Sequence, residues 1–294
     1  VHATFCPATA ASLRSFQEHR GLRVTGVCDA DCWTALIEAN WSLGDRMLVL
    51  TSPNLRGDDV AELQASLARL GFDCGRVDGI FGPKTARALE DFQSNCGLPG
   101  DGICGAETVR SLRRVIGQTG AGPGIAIVRE RERLRQAPTA LGSLRVVIGQ
   151  FGGLGSISRA ISRELRLAGA QVVLLDEPDA GLQARTANQF GAHLYVGLEA
   201  GRAEATVVHY YQVPTFESVG GKSLAAALSR EIRACGLAVA EPCGMRLPVL
   251  RETRMPAVLV TLAPVRAAVD AAPDVSARVV EAVRIWMRDC HGAH

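Results

Sequence analysis

Leu144-Arg145-Val146-Val147-Ile148-Gly149-Gln150-Phe151-Gly152-Gly153-Leu154-Gly155 decides how the C-terminal half of this chain folds. Its opening residues, Leu144–Ile148, form a short run dense in Val and Ile, as a strand buried on both faces requires. The glycines break that strand, and Ile157–Ala168 then reads as an amphipathic helix stopped by Gly169. The same alternation continues downstream. Strands are expected at Gln171–Leu175, His193–Leu198, Thr206–Gln212 and Ala257–Leu262, and helices at Ala180–Phe190, Ser218–Cys235 and Val275–Asp289. Strands separated by helices of this length predict an α/β sandwich with a mixed, largely parallel sheet over residues 144–294.

Working outward, a chain of 294 residues suggests two domains. With 47% hydrophobic and 21% charged residues it is able to bury a core, and a net charge of +2 gives no reason to expect nucleic acid or an anionic membrane as a bulk partner. No stretch reaches the roughly 18 apolar residues of a membrane span. Residues 1–16 show no basic segment followed by an apolar one, so the expected location is the cytoplasm.

The N-terminal third repeats itself. Phe5-Cys6-Pro7-Ala8-Thr9 returns 76 residues later as Phe81-Gly82-Pro83-Lys84-Thr85, and the same offset carries Phe16-Gln17 to Phe92-Gln93 and Gly26-Val27-Cys28 to Gly102-Ile103-Cys104. A tandem duplication explains this. In the complete copy, Val60, Leu63, Leu67 and Leu70 fall at helical spacing before Gly71. Pro83 then opens a second helix and a third runs from about Ala106 to Ile116. The first copy lacks its opening helix, so residues 1–45 are expected to form an incomplete unit and residues 52–117 a complete three-helix bundle. Residues 118–143 read as a linker: glycine-rich at first, then a helix whose alternating Arg129-Glu130-Arg131-Glu132-Arg133 suits a solvated surface.

Nine cysteines are read chiefly as reduced structural thiols. Cys28 and Cys32 have no second pair to complete a metal site. Cys6 with Cys28, or Cys96 with Cys104, are disulfide candidates only in an oxidising compartment. Asp176, Glu177 and Asp179 precede a helix start, where carboxylates stabilise free amides. The glycines of 149–155 lack the spacing of a dinucleotide-binding loop.

The run Leu63-Gln64, Val77-Asp78-Gly79-Ile80-Phe81-Gly82, Thr85, Leu89, Phe92-Gln93, Gly97-Leu98, Asp101-Gly102 closely resembles the peptidoglycan-binding domain-1 family. That resemblance implies a cell-wall glycopeptide held beside the Asp78–Gly82 loop, with Asp78, Phe81, Gly82, Thr85, Phe92 and Gln93 as candidate binding residues. Phe81 and Phe92 are also core candidates, and Asp78, Gly79 and Gly82 form a turn that any such bundle needs.

From residue 144 the order of elements resembles the amidase-3 family of zinc-dependent N-acetylmuramoyl-L-alanine amidases. The best-matching segments are Arg185–Ala192, Ser218–Leu228 and Leu250–Val260. The family's chemistry implies one zinc on two histidines and a glutamate, an open position for a nucleophilic water, and a second glutamate as general base. None of those residues stands here. The first histidine's loop reads Gly149-Gln150-Phe151-Gly152-Gly153, and only Leu154, Gly155 and Ser156 occupy the segment for the glutamate ligand. Glu199 replaces the second histidine and Thr261 the catalytic glutamate. His193 and His209 flank the right strands, and Glu199 is itself a possible oxygen ligand on the strand face of His193, but one face supplies at most two ligands and the loop none, so the ancestral zinc is expected to be lost, with no metal and no cofactor.

Two such repeats ahead of an amidase-like domain resemble the actinobacterial cytoplasmic amidase-like regulators of peptidoglycan synthesis. The resemblance implies a non-catalytic protein whose partners are peptidoglycan or its precursors and cell-wall synthesis proteins, such as the enolpyruvyl transferase that begins the pathway or membrane-bound precursor machinery. An active zinc amidase and a simple wall-binding module remain the alternatives.

Overall fold

The computed structural model describes residues 5–117, 125–213 and 216–292, and divides into two compact units that meet between Arg129 and Glu130. In the first unit, α1 (Pro7–His19) and α2 (Ala30–Glu38) form the incomplete repeat, and α3 (Asp58–Arg69), α4 (Pro83–Asn95) and α5 (Ala106–Ile116) form the complete one. The helical periodicity does what it predicts: Val60, Leu63, Leu67, Leu89, Phe92 and Leu112 are all buried.

What the periodicity does not reveal is how the turns are held. Each helix–turn–helix is locked by one buried glutamine. The Gln64 carboxamide oxygen accepts from the amides of Asp78 (3.0 Å) and Gly79 (2.8 Å), and its nitrogen donates to Asp78 Oδ1, the Ile80 carbonyl and Thr85 Oγ1. Gln93 repeats the pattern with the Gly102 amide, Asp101, the Ile103 carbonyl and Thr108. Gln17 does so with the amides of Thr25 and Gly26 and the carbonyl of Val27. A neutral amide serves because it donates and accepts at once and carries no charge into the interior. Gly79 and Gly102 sit at φ +71° and +68°, where glycine carries no Cβ penalty.

The second unit begins earlier than the sequence suggests. Residues 118–124 lie outside the described residues, but the helix that follows, α6 (Ile125–Arg135), is not simply solvated along its length. The Glu130 carboxylate accepts from Ser218 Oγ (2.7 Å) and from the amides of Val219 (3.1 Å) and Gly220 (3.3 Å), and Leu134 is buried in the α/β core. The expected linker of 118–143 therefore ends at Arg129. Charge alternation hid this, because the partner of Glu130 lies 88 residues away in sequence at a helix start that needs a carboxylate.

The sheet that follows is the predicted one with two additions. Its strands are β1 (Arg145–Gln150), β2 (Gln171–Asp176), β3 (Leu194–Ala200), β4 (Val207–Val213), β5 (Phe216–Glu217), β6 (Cys243–Met245) and β7 (Ala257–Leu262), in spatial order β2-β1-β3-β7-β4-β5 with β6 on β4. The β2-β1-β3-β7 ladder is parallel and β4 runs antiparallel to β7. The helices α7 (Gly155–Leu167), α8 (Ala180–Phe190), α9 (Val219–Arg233), α10 (Pro248–Glu252), α11 (Val265–Asp270) and α12 (Ala272–Gly292) complete the unit. Strands β5 and β6 and the short α10 and α11 carry too few residues for a periodicity to show.

Alternation along the strands sorts the two faces. Val146, Ile148, Leu194, Val196, Leu198, Val258, Val260 and Leu262 share one core with Ile157, Ile161 and Leu165 of α7, Leu224 and Leu228 of α9, and Val279, Val283 and Trp286 of α12. The α9–α12 crossing is tight: the Trp286 indole N–H donates to the Gly220 carbonyl (3.1 Å), and a Cβ on Gly220 would meet Pro256 and Leu134 at 2.8 and 2.9 Å. The opposite face carries Val147, Gly149, Tyr195, Gly197, Glu199, Leu259 and Thr261.

Two measurements follow. Gln64→Ala leaves the buried Gly79 amide and Thr85 hydroxyl without a partner, at about 1–3 kcal/mol for each such group, so chemical denaturation should show a loss of roughly 3 kcal/mol from the second repeat. The second concerns His193, whose Nδ1 accepts from the Arg145 amide (3.0 Å) and whose pKa burial, then the Arg145 charge, holds below the ordinary histidine value. Because the folded state prefers the neutral ring, this contribution is complete above the unfolded pKa of about 6.5 and is lost as pH falls below it toward the lower folded value. His193→Asn, which keeps an acceptor and cannot titrate, should flatten the decline in urea midpoint that the unsubstituted protein shows from pH 7 to 5; an unchanged decline removes His193 from the account.

Candidate functional site

Parallel strands present their C-terminal ends as a rim, and β1, β3 and β7 bring there the loop of Gly152 together with Glu199 and Thr261, the positions that the resemblance compares with a metal site. Gln150 ends β1, in register with Asp176 on one side and Leu198 on the other. Its side chain is buried and closes the loop that follows. The carboxamide nitrogen donates to Asp176 Oδ1, while the oxygen accepts from the amides of Gly152 (3.1 Å) and Leu154 (3.2 Å). The Phe151 amide is tied to the Leu198 carbonyl at 3.1 Å. Gly152 adopts φ +112°, a conformation that favours glycine, yet a Cβ there would meet nothing within 4 Å.

Beneath the loop, on the opposite face, lies a polar pair that sequence reasoning missed. The Tyr195 hydroxyl donates to Gln183 Oε1 at 2.7 Å, and Gln183 Nε2 donates to the carbonyls of Gln150 (3.1 Å) and Glu177 (2.5 Å). Burial pushes the Tyr195 phenol well above its ordinary pKa, so it remains a donor. The pair fills the volume beside Gly149, where a Cβ would overlap both Gln183 Oε1 and Tyr195 Oη. No side chain at 149 fits beside this pair. A glycine inside an otherwise Val/Ile-rich strand was the available signal.

Glu199 and Thr261 are direct partners across β3 and β7. Both are half-buried, and Thr261 Oγ1 has no hydrogen-bond partner among the described residues. The two histidines stand at different distances from them. His193 shares the strand face of Glu199 but lies at the other end, six residues or about 20 Å away at ~3.3 Å per residue. His209, on β4, stands opposite Leu259, two residues along from the position opposite Thr261. Among the described residues, no three His, Cys, Asp or Glu side chains come together as a metal-holding group. The donor set at this rim, the carboxylates of Glu199 and of Asp176, the latter bound to Gln150, with a hydroxyl and a carboxamide already engaged with its own loop, does not fit a centre of two histidines and a glutamate.

The surrounding frame keeps the segments that carry the resemblance. Asn188 of α8 donates to the Glu252 carbonyl (2.8 Å) and accepts from the Arg254 amide (2.9 Å), joining the 185–192 segment to the 250–260 segment. Asp179 caps α8 through the amides of Gly181 (2.8 Å) and Leu182 (3.1 Å), as its place before a helix start predicts.

In the first unit, the candidate binding residues of the second repeat divide by burial. Phe81 and Phe92 are core side chains, Phe92 packing edge-on against Phe72 at 5.6 Å. Thr85 and Gln93 are buried and spent on the turns. Asp78 and Gly82 remain partly accessible, Asp78 holding the Ile80 amide at 2.9 Å. The buried four position the loop, and only Asp78 and Gly82 of the six reach its surface. All nine cysteines are free thiols, with burial pushing Cys74 and Cys104 up to about 12 and making them inert interior groups.

Comparison with known proteins places these features. Residues 1–36 and 56–112 match the family described as a putative peptidoglycan-binding domain. The N-acetylmuramoyl-L-alanine amidase CwlM of Mycobacterium tuberculosis is 35% identical over 284 residues, an alignment covering 85% of this chain and 70% of that protein. The spore cortex-lytic enzyme of Bacillus cereus is 52% identical over 56 residues, covering 19% of this chain and 22% of the enzyme. The catalytic domain of the amidase CwlV from Bacillus (Paenibacillus) polymyxa var. colistinus superposes with a TM-score of 0.40 at 18% identity, covering 48% of this chain and 96% of that domain. With peptidoglycan-binding repeats ahead of an amidase-like α/β domain, and with that identity sustained along most of its length, the chain belongs to the family of the N-acetylmuramoyl-L-alanine amidase CwlM.

Proposed function

We propose that this protein is a non-catalytic member of its family, which binds peptidoglycan or its precursors and regulates cell-wall synthesis in the cytoplasm by engaging synthesis enzymes. The observation that carries this reading is the chemistry left at the strand rim: Gly152, Glu199 and Thr261 stand where two histidines and a glutamate are needed, and Gln150 spends its amide on its own loop. A rim that cannot hold zinc by three ligands has no means of lowering the pKa of a bound water, which is the step that makes the amidase nucleophile. What remains is a shaped surface on a rigid frame. The zinc of the ancestral site is taken as lost. No helix among the described residues is long and apolar enough to cross a membrane.

The second reading, an active zinc amidase, draws on the M. tuberculosis relative, an N-acetylmuramoyl-L-alanine amidase by name. Elemental analysis of the purified protein separates the two, combined with an assay for peptide released from muramyl-peptide. The regulator holds well under one zinc per chain and releases no peptide; one zinc per chain with release establishes the hydrolase.

Glycan binding is assigned to the second repeat, with Asp78 and Gly82 presenting the surface and Phe81, Thr85, Phe92 and Gln93 holding the loop behind them. Co-sedimentation with purified peptidoglycan tests it. Gly82→Glu, at a backbone position any residue can adopt (φ −95°), should leave the helical content intact and reduce pelleting about tenfold, on the scale of a hot-spot loss. Undiminished pelleting would move the site elsewhere.

A further inference from the structure

The last helix, α12, packs on α7 and α9, and the stripe it turns away from them is unevenly charged. Glu281, Arg284, Arg288 and His291 follow one another at helical spacing and so share that stripe. Arg284 Nη1 lies 3.5 Å from Glu281 Oε2, and Arg288 Nη2 lies 3.4 Å from Glu281 Oε1. One carboxylate therefore holds both guanidinium groups, one on each oxygen. Among the described residues it is the only carboxylate paired with either arginine, which leaves one positive charge in surplus. Like charges at i and i+4 repel, so this clustering costs the helix stability.

Beside the stripe, a cavity of about 600 Å³ opens between α12 and the 139–141 segment ahead of β1. Arg284 and Arg288 stand on its wall, and Met287 and Leu141 give it apolar surface. His291 lines one end. Its Nδ1 lies 2.6 Å from the Met287 carbonyl oxygen and its Nε2 2.9 Å from that of Ala137, so the ring joins the two walls and fixes their spacing. The volume suits a small molecule, and a surplus of positive charge over an apolar floor suits an amphiphilic anion. One guanidinium fork saturates a planar carboxylate, whereas two forks side by side match the three terminal oxygens of a phosphoryl group.

We propose that the cavity between α12 and the 139–141 segment is a binding site for an organic phosphate. Arg284 and Arg288 hold the phosphoryl group, and Met287 and Leu141 hold the apolar part of the ligand. This inference is independent of the fate of the zinc site and of glycan binding by the repeats.

The probes are phenyl phosphate, inorganic phosphate and benzoate, each titrated calorimetrically into the full chain. Phenyl phosphate should bind saturably with a Kd of about 0.1–1 mM, and the other two at least about tenfold more weakly. Arg284→Gln and Arg288→Gln, both at exposed positions, should leave far-UV circular dichroism unchanged and weaken phenyl phosphate about tenfold each. Leu141→Gln should weaken it severalfold. Arg278→Gln, on the same helix but paired with Glu231, should change nothing. No saturable binding up to about 10 mM, or binding unaffected by Arg284→Gln and Arg288→Gln, overturns the proposal. Benzoate or inorganic phosphate binding as tightly as phenyl phosphate overturns the ligand class. Co-sedimentation with phosphatidic acid vesicles, lost when both arginines are replaced, supports the site with a lipid phosphate as its ligand. Phenyl phosphate binding without co-sedimentation supports it with a soluble ester.

Discussion

A buried glutamine carboxamide is the interaction on which both units of this protein depend. Gln17, Gln64 and Gln93 each sit behind a turn between helices, and Gln150 and Gln183 sit behind the loop that leaves the first strand. All five are nearly or fully buried. In every case the oxygen accepts hydrogen bonds and the nitrogen donates them, to oxygens of the same turn for Gln17, Gln64 and Gln93 and to oxygens of neighbouring segments for Gln150 and Gln183. A carboxylate could accept but not donate, and its charge would be costly to bury. The loops that carry the candidate sites are therefore held from behind by neutral chemistry.

This division explains how much was legible beforehand. Elements with a strong period were found: the Val60-Leu63-Leu67 stripe, the Ile157–Ala168 helix and the Val/Ile-rich strands all fold as their spacing dictates. The duplication at 76 residues was also visible, but the shorter likeness within it was not. Asp78-Gly79-Ile80 and Asp101-Gly102-Ile103 are held the same way by Gln64 and Gln93, 23 residues apart in the turn and 29 apart in the glutamine, so no single offset aligns both. Glu130 escaped for another reason. Local charge alternation says that a helix is polar, and it cannot say that one of its carboxylates completes the first turn of a helix far along the chain.

At the candidate site, residue identities could be read position by position, whereas the fit could not. That Gly152 and Thr261 bring no imidazole or carboxylate to the rim, and that Glu199 brings a carboxylate, follows from the letters alone. That Gln150 anchors its own loop, and that Tyr195 and Gln183 fill the space beside Gly149, requires three elements folded together. The two kinds of information bear on different questions: the letters say which side chains stand at each position, and the packing says what occupies the room.

That packing constrains how such a chain can change. A side chain at position 149 collides with Gln183 and Tyr195, while removing either of those first leaves a buried hydroxyl or amide without its partner. Each single step toward a larger side chain at the head of this loop passes through a destabilised protein, whichever residue moves first. The three positions are locked as a set: simple to keep, and closed to replacement one substitution at a time.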